Sequence, residues 1–158
     1  LEEILGKAIF SFTGTRAYPE QELEAAFERW LPNLQRALSD PLGSLIDSYG
    51  KAVRDHPDAT IANFDELLAD LRTAATYRNV LCHGSWRSPD VEGRAVPFFV
   101  NKKDEIWSMA FDEALLQRVQ ANAVELICAV MNSVTDMGLQ FPGSTGPGKP
   151  IAPGGQTV

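Results

Sequence analysis

Apolar residues recur at helical spacing through most of this chain. Leu1, Ile4, Leu5, Ala8, Ile9 and Phe12 fall three and four residues apart, and the run stops near Gly14. That spacing predicts an amphipathic helix. A second stripe, Leu23, Phe27, Trp30, Leu34 and Leu38, predicts another. Pro32 lies inside it and lacks an N–H, which predicts a kink or a fresh helix start there. Leu42, Leu45, Ile46, Tyr49 and Val53 form a third, shorter stripe that fades into the polar run Arg54-Asp55-His56-Pro57-Asp58. Asn63, followed three residues on by Glu66, has the capping-box pattern. It opens a fourth helix through Phe64, Leu67, Leu68, Leu71 and Ala75, with Gly84 as its stop.

The period then changes. Turn signals at 88–93 and 101–104 bracket two short apolar runs, 96–100 and 105–109, which predict a small β-hairpin near 94–110. Pro97 suits an edge position. Asp112 is placed to cap a last helix, with Phe111 positioned to staple onto Leu116. Its stripe runs Leu116, Val119, Ala123, Ile127, Val130, Val134 and Met137, and Gly138 closes it. That stripe is regular enough to serve a subunit interface as well as a core. Residues 141–158 are rich in Gly and Pro and predict an extended tail packed along a surface of this chain or a partner. The expected fold is mainly α: a single helical bundle of four to five helices over 1–140, with the hairpin inserted before the last helix.

Composition narrows the function classes. With 158 residues, 44% of them hydrophobic, the chain has ample material for one core. It lacks the roughly 18 unbroken apolar residues of a membrane span, so no membrane partner is expected. The first residue is Leu1, already inside an apolar-periodic segment, so the numbering is expected to begin partway into a longer chain. Cys82 and Cys128 fall in helical stripes, the usual place for reduced core thiols, so the expected compartment is the cytoplasm. The net charge is -7, and no window is densely basic. Lys102-Lys103 stands alone, and Arg72, Arg78, Arg87 and Arg94 are scattered. Stable DNA binding is therefore disfavoured, whereas brief contact with RNA at a local positive cleft is compatible with the charge. Neither a metal nor a cofactor is expected. His56 sits in a polar turn, no glycine-rich phosphate loop is present, and Ser85 lacks a nucleophile elbow.

The chemistry concentrates in one run, Tyr77-Arg78-Asn79-Val80-Leu81-Cys82-His83-Gly84-Ser85-Trp86. At about 100° per residue, Arg78 falls in line with Phe64, Leu68, Leu71, Ala75 and Cys82, near the centre of the apolar face. A guanidinium cannot shed its charge, so that position demands a carboxylate, carbonyls, or an opening to solvent or ligand. His83 lies at the frayed end of the helix, close enough to share a pocket with Arg78. Metal-independent RNA cleavage needs a base for the ribose 2′-hydroxyl and a cation for the phosphorane. His83 and Arg78 are the right types, with Asn79 orienting either of them. Trp86 is placed to wall the pocket, where a base could stack. The alternative is structural: Arg78 and His83 satisfy helix-end carbonyls and a buried carboxylate.

Arg78-Asn79-x-x-x-His83, late in a long helix of a small bundle, resembles the signature of the HEPN superfamily. The extended run through Gly84 and Trp86 resembles the Arg-Asn…His-Gly…Trp variant of bacterial members. The resemblance implies a homodimer in which two copies of the motif face each other. It also implies a metal-independent endoribonuclease of a toxin–antitoxin, phage-defence or RNA-processing system, with an antitoxin-type protein as a further partner. Arg78 and His83 would then be catalytic and Asn79 supporting, with Tyr77, Ser85 and Trp86 lining the binding site. Other members of that superfamily are non-catalytic, which leaves a dimeric interaction protein as the second expectation.

Overall fold

The helical periodicity becomes five helices: α1 (Glu2–Gly14), α2 (Leu23–Ser39), α3 (Leu42–Arg54), α4 (Phe64–His83) and α5 (Glu113–Asp136). They are seen in a computed structural model that describes residues 1–14 and 19–145, less the side chains at 33 and 36–39. The fold is mainly α. The core lies where α1, α3, α4 and α5 meet, and α2 flanks it. Most of the expected C-terminal tail, 146–158, lies outside the described residues, as does the side chain of Leu38.

One residue joins all four core helices. Tyr49 on α3 is fully buried. Its ring meets Phe12 of α1 at 6.2 Å and, edge-on, Phe64 of α4 at 5.5 Å. Its hydroxyl lies 2.6 Å from Ser133 Oγ of α5, and Ser133 in turn donates to the Val130 carbonyl at 2.7 Å. Ser133 has one proton and spends it on Val130, so Tyr49 is the donor to Ser133. Two hydroxyls are thereby buried without an orphaned donor. Leu5, Leu45, Ile46, Leu68, Leu71 and Val130 fill the space around them. Each large apolar side chain so buried contributes about 1.5–3 kcal/mol.

α2 is peripheral. It leans on α1 through Trp30, which stacks edge-on against Phe10 at 5.5 Å and donates its indole N–H to Thr13 Oγ1 at 2.9 Å. Pro32 lies inside α2 and is exposed, and the helix continues through it instead of restarting. An exposed proline is tolerated because water reaches the carbonyl one turn back. The segment after α5 folds back onto α1. Ser11, buried, donates to the Gln140 carbonyl at 3.0 Å, and Phe141 enters the core.

The helix ends differ from expectation at two points. Asn63 precedes α4 in the left-handed region (φ 53°) and makes no side-chain cap, because in that conformation its amide is not aimed at the first turn. Gly84 ends α4 in an extended conformation (φ -67°, ψ 143°), not a left-handed one. The other two ends match the sequence reading. Asp112 caps α5 by accepting from the Leu115 N–H at 2.7 Å. Gly138 is left-handed (φ 69°), and bonds from Gly138 to Thr135 and from Leu139 to Val134 close a Schellman turn.

Residues 85–111 form an irregular meander. Three isolated antiparallel bridges, Ser85 with Phe98, Ala95 with Phe111 and Val100 with Ile106, hold it. Among the described residues no regular strand forms, since Pro97 and the turn at 101–105 interrupt any longer ladder. Aromatic packing carries the segment instead: Phe111 stacks on Trp107 at 5.7 Å and meets Trp86 at 5.4 Å and Tyr77 at 6.1 Å.

Burial pushes the Tyr49 hydroxyl up to about 12. An unfolded tyrosine ionises near 10, so the stabilisation from keeping Tyr49 neutral is fully present below pH 10. It is lost as the pH rises from about 10 to about 12. Urea unfolding at pH 8 and at pH 11.5 should show a drop on the order of 2 kcal/mol in the native protein. Tyr49→Phe should cost about 1–2 kcal/mol at pH 8 and show a smaller drop on going to pH 11.5. An equal drop in both proteins would refute this account of Tyr49.

Candidate functional site

The last turn of α4 gathers three polar side chains. Arg78 Nη1 lies 3.3 Å from Asn79 Oδ1 and 3.3 Å from His83 Nε2. A guanidinium only donates, so the second contact is a hydrogen bond only when His83 Nε2 carries a free lone pair and the ring proton is on Nδ1. Five residues separate Arg78 from His83. At 3.6 residues per turn they stand about 140° apart around the helix, so the contact is made by the long Arg78 side chain reaching across the helix end to His83. The three residues expected to do chemistry are therefore brought together.

Their surroundings differ from the sequence reading. Arg78 is not buried in the apolar face: its side chain is 44% exposed and pairs with Glu2 at 3.2 Å, itself 47% exposed. The buried stripe of α4 runs Leu68, Leu71, Ala75 and then Val80, leaving Arg78 and Cys82 outside. The cause is tertiary. The bundle covers α4 only as far as Ala75, and beyond that the meander covers a different side, where Val80 and Phe111 are buried apart from the main core. Cys82 is exposed and Cys128 half-buried, and both thiols are free. Cys82 is thus no core residue.

Beside Arg78 a groove of about 400 Å³ opens between α4 and α5. Its lining is mostly apolar, with Tyr77, Leu81, Leu115 and Val119 among the walls and Arg78 and Arg118 as its cations. His83 and Asn79 lie outside it. Tyr77 both lines the groove and meets Trp107 edge-on at 5.6 Å. Ser85 exchanges both backbone hydrogen bonds with Phe98 at 2.9 Å. Trp86 packs on Phe111 and donates its indole N–H to the Leu81 carbonyl at 3.2 Å. Ser85 and Trp86 therefore fix the exit from α4 and do not wall the groove.

His56, the other histidine, rests edge-on against Phe12 at 5.9 Å and accepts from the Asp58 N–H at 3.3 Å. Among the described residues no three His, Cys, Asp or Glu side chains are grouped to hold a metal ion. By length and composition alone α5 is apolar enough to cross a membrane, a test that core helices of soluble proteins also pass.

Two site residues escaped the sequence reading, Glu2 and Arg118. Glu2 reaches Arg78 only because α1 lies against the bundle, 76 positions away in the chain, and no local pattern announces that. Arg118 lies on the predicted last helix, but only the α4–α5 packing turns it into a groove. No protein-family model matches the chain, and no curated protein or solved structure does so either.

Gly84 carries a close approach. A Cβ there would meet the Val80 carbonyl oxygen at 2.6 Å and Pro97 Cβ at 2.8 Å, distances that force backbone to move. Gly84→Ala should destabilise the protein by about 1–3 kcal/mol and raise amide exchange across residues 85–111. A thermal melt unchanged from the native protein would show that the approach is not tight.

Proposed function

We propose that the end of α4 is a metal-independent RNA-cleaving site of the kind used by toxin and defence ribonucleases. The observation that supports it is the convergence of Arg78, Asn79 and His83 on an exposed helix end, with Arg78 within 3.3 Å of both others. Arg78 binds the scissile phosphate and neutralises the charge that builds on the phosphorane. Its move to phosphate releases Nε2 of His83, which takes the proton of the ribose 2′-hydroxyl as that oxygen attacks phosphorus. The same imidazole returns the proton to the departing 5′-oxygen. The products are a 2′,3′-cyclic phosphate and a free 5′-hydroxyl. Asn79 holds the guanidinium in place between these partners.

The acidic balance of the chain limits RNA to local contact at this site. Glu2 is the competitor: its carboxylate occupies Arg78 in the resting protein. An exposed ion pair of this kind is worth about 0–1 kcal/mol, so a phosphate can displace it. The same ion pair favours the second reading, in which Arg78 is a structural tie between α1 and α4 in a non-catalytic interaction protein.

Incubation of purified protein with total RNA in EDTA separates the two. Cleavage is expected, with cyclic-phosphate ends, and His83→Ala and Arg78→Ala should each lower it by at least about 100-fold. Cleavage that survives His83→Ala sinks the assignment. Absence of cleavage together with a lowered melting temperature in Arg78→Ala establishes the structural reading.

A further inference from the structure

The groove beside the motif has a layered wall on each side. On α4, Tyr77 and Leu81 are four residues apart and half-buried, and the next row, Arg78 and Cys82, is exposed. On α5, Leu115 and Val119 are half-buried and four apart, and Arg118 and Asn122 beside them are exposed. Residues four apart share a row along a helix, so the groove has an apolar floor under a polar rim. The floor is firm at one point: the Tyr77 ring is held edge-on by Trp107 at 5.6 Å and Phe111 at 6.1 Å. α4 and α5 run antiparallel along it, with 74–82 beside 115–123 and 61–70 beside 122–136. Arg78 and Arg118, near the middle of their segments, therefore stand at one level on opposite walls.

The charge of the groove is also set apart. Carboxylates outnumber cations 21 to 14 in the chain, yet none lines this groove, whose charged residues are both arginines. Neither Arg118 nor Asn122 spends its side chain on an ion pair or hydrogen bond with any described residue. Past Asn122 the sign reverses: the next groove along the same two helices carries Glu66, Asp70, Glu125 and Asp136. An anionic strand is thereby attracted at one end of the face and repelled at the other. The attractive part, about 400 Å³, has the size of a small-ligand site.

We propose that this groove seats the nucleoside next to the scissile phosphate of a single-stranded RNA. The base lies on the apolar floor against Tyr77, Leu81, Leu115 and Val119. Arg78 holds the scissile phosphate at the edge the groove shares with the motif. Arg118, on the facing wall, holds the phosphate on the other side of the same nucleoside. Two guanidiniums on opposite walls match the two phosphates that flank every internal nucleoside. Asn122 carries an amide donor and a carbonyl acceptor and meets the polar edge of the base. A paired and stacked base presents no free face, so duplex RNA cannot enter. The acidic groove past Asn122 turns the strand away after this one nucleoside. Such seating rests on Arg78 as the phosphate-binding residue of the cleavage site. Arg118, Asn122 and the floor add binding and position, and none of them moves a proton.

Binding and cleavage are read separately. Fluorescence anisotropy of the full chain with a short, uncleavable 2′-fluoro single-stranded RNA should show binding that weakens with salt. Val119→Trp fills the floor and should weaken binding at least about tenfold, the scale of one lost base stack, with the salt dependence unchanged. Arg118→Gln should weaken it about threefold to tenfold and lower the slope of log affinity against log salt by about 0.7, one phosphate contact. The same sequence as a duplex should bind at least about tenfold more weakly. Thermal melts check folding, and Ala123→Leu, a smaller filler of the same groove, serves if Val119→Trp unfolds. Absence of binding by the native chain overturns the proposal. So does binding indifferent to floor filling or to Arg118→Gln, or a duplex bound as tightly as the single strand. If RNA is cleaved with His83 dependence at a KM that Val119→Trp leaves unchanged, the groove assignment falls and the cleavage site stands. If the uncleavable strand binds through the groove and no RNA is cleaved, the groove stands and the cleavage assignment falls.

Discussion

The buried phenol of Tyr49 decides how the rest of the molecule is arranged. It holds α1 and α4 by ring contacts and α5 through Ser133, so four helices share one fixed point. Phe64, at the very start of α4, is one of those contacts. α4 is therefore pinned at its beginning and along Leu68, Leu71 and Ala75, while in its last two turns only Val80 is buried. The cluster of Arg78, Asn79 and His83 sits on those turns. Its openness to solvent is a consequence of where the helix is clamped, and the local sequence plays little part in it.

That geometry explains which readings of the sequence succeed. Helical spacing located all five helices, and the ends at Asp112 and Gly138 are equally local: a carboxylate accepting from its own first turn, and a glycine free to turn left-handed. Arg78 is the instructive failure. Its angular position continues the line of Leu71 and Ala75, but periodicity says only that a face is shared, and the bundle stops covering that face after Ala75. The apolar run at 96–100 has strand chemistry too. Its pairing, however, depends on a proline and a tight turn, and aromatic rings take over the work of a ladder. Of the site, the grouping of Arg78, Asn79 and His83 was legible because it is local. Glu2 and Arg118 were not, because helix packing alone brings them near.

The electrostatics of the site follow from exposure. In a chain of net charge -7, an arginine half open to water collects whatever carboxylate can reach it, and Glu2 is within reach. Such a pair is weak and screened by salt. The guanidinium is thus exchangeable between Glu2 and whatever else reaches it from solvent.

The missing side chain at Gly84 has one more effect. With Val80 and Pro97 pressed against the same α-carbon, the joint between α4 and the meander works as a weld instead of a hinge. Gly84, the residue after His83, is held against Pro97 thirteen positions further along the chain. An insertion in the meander that displaced Pro97 would detune the site from behind.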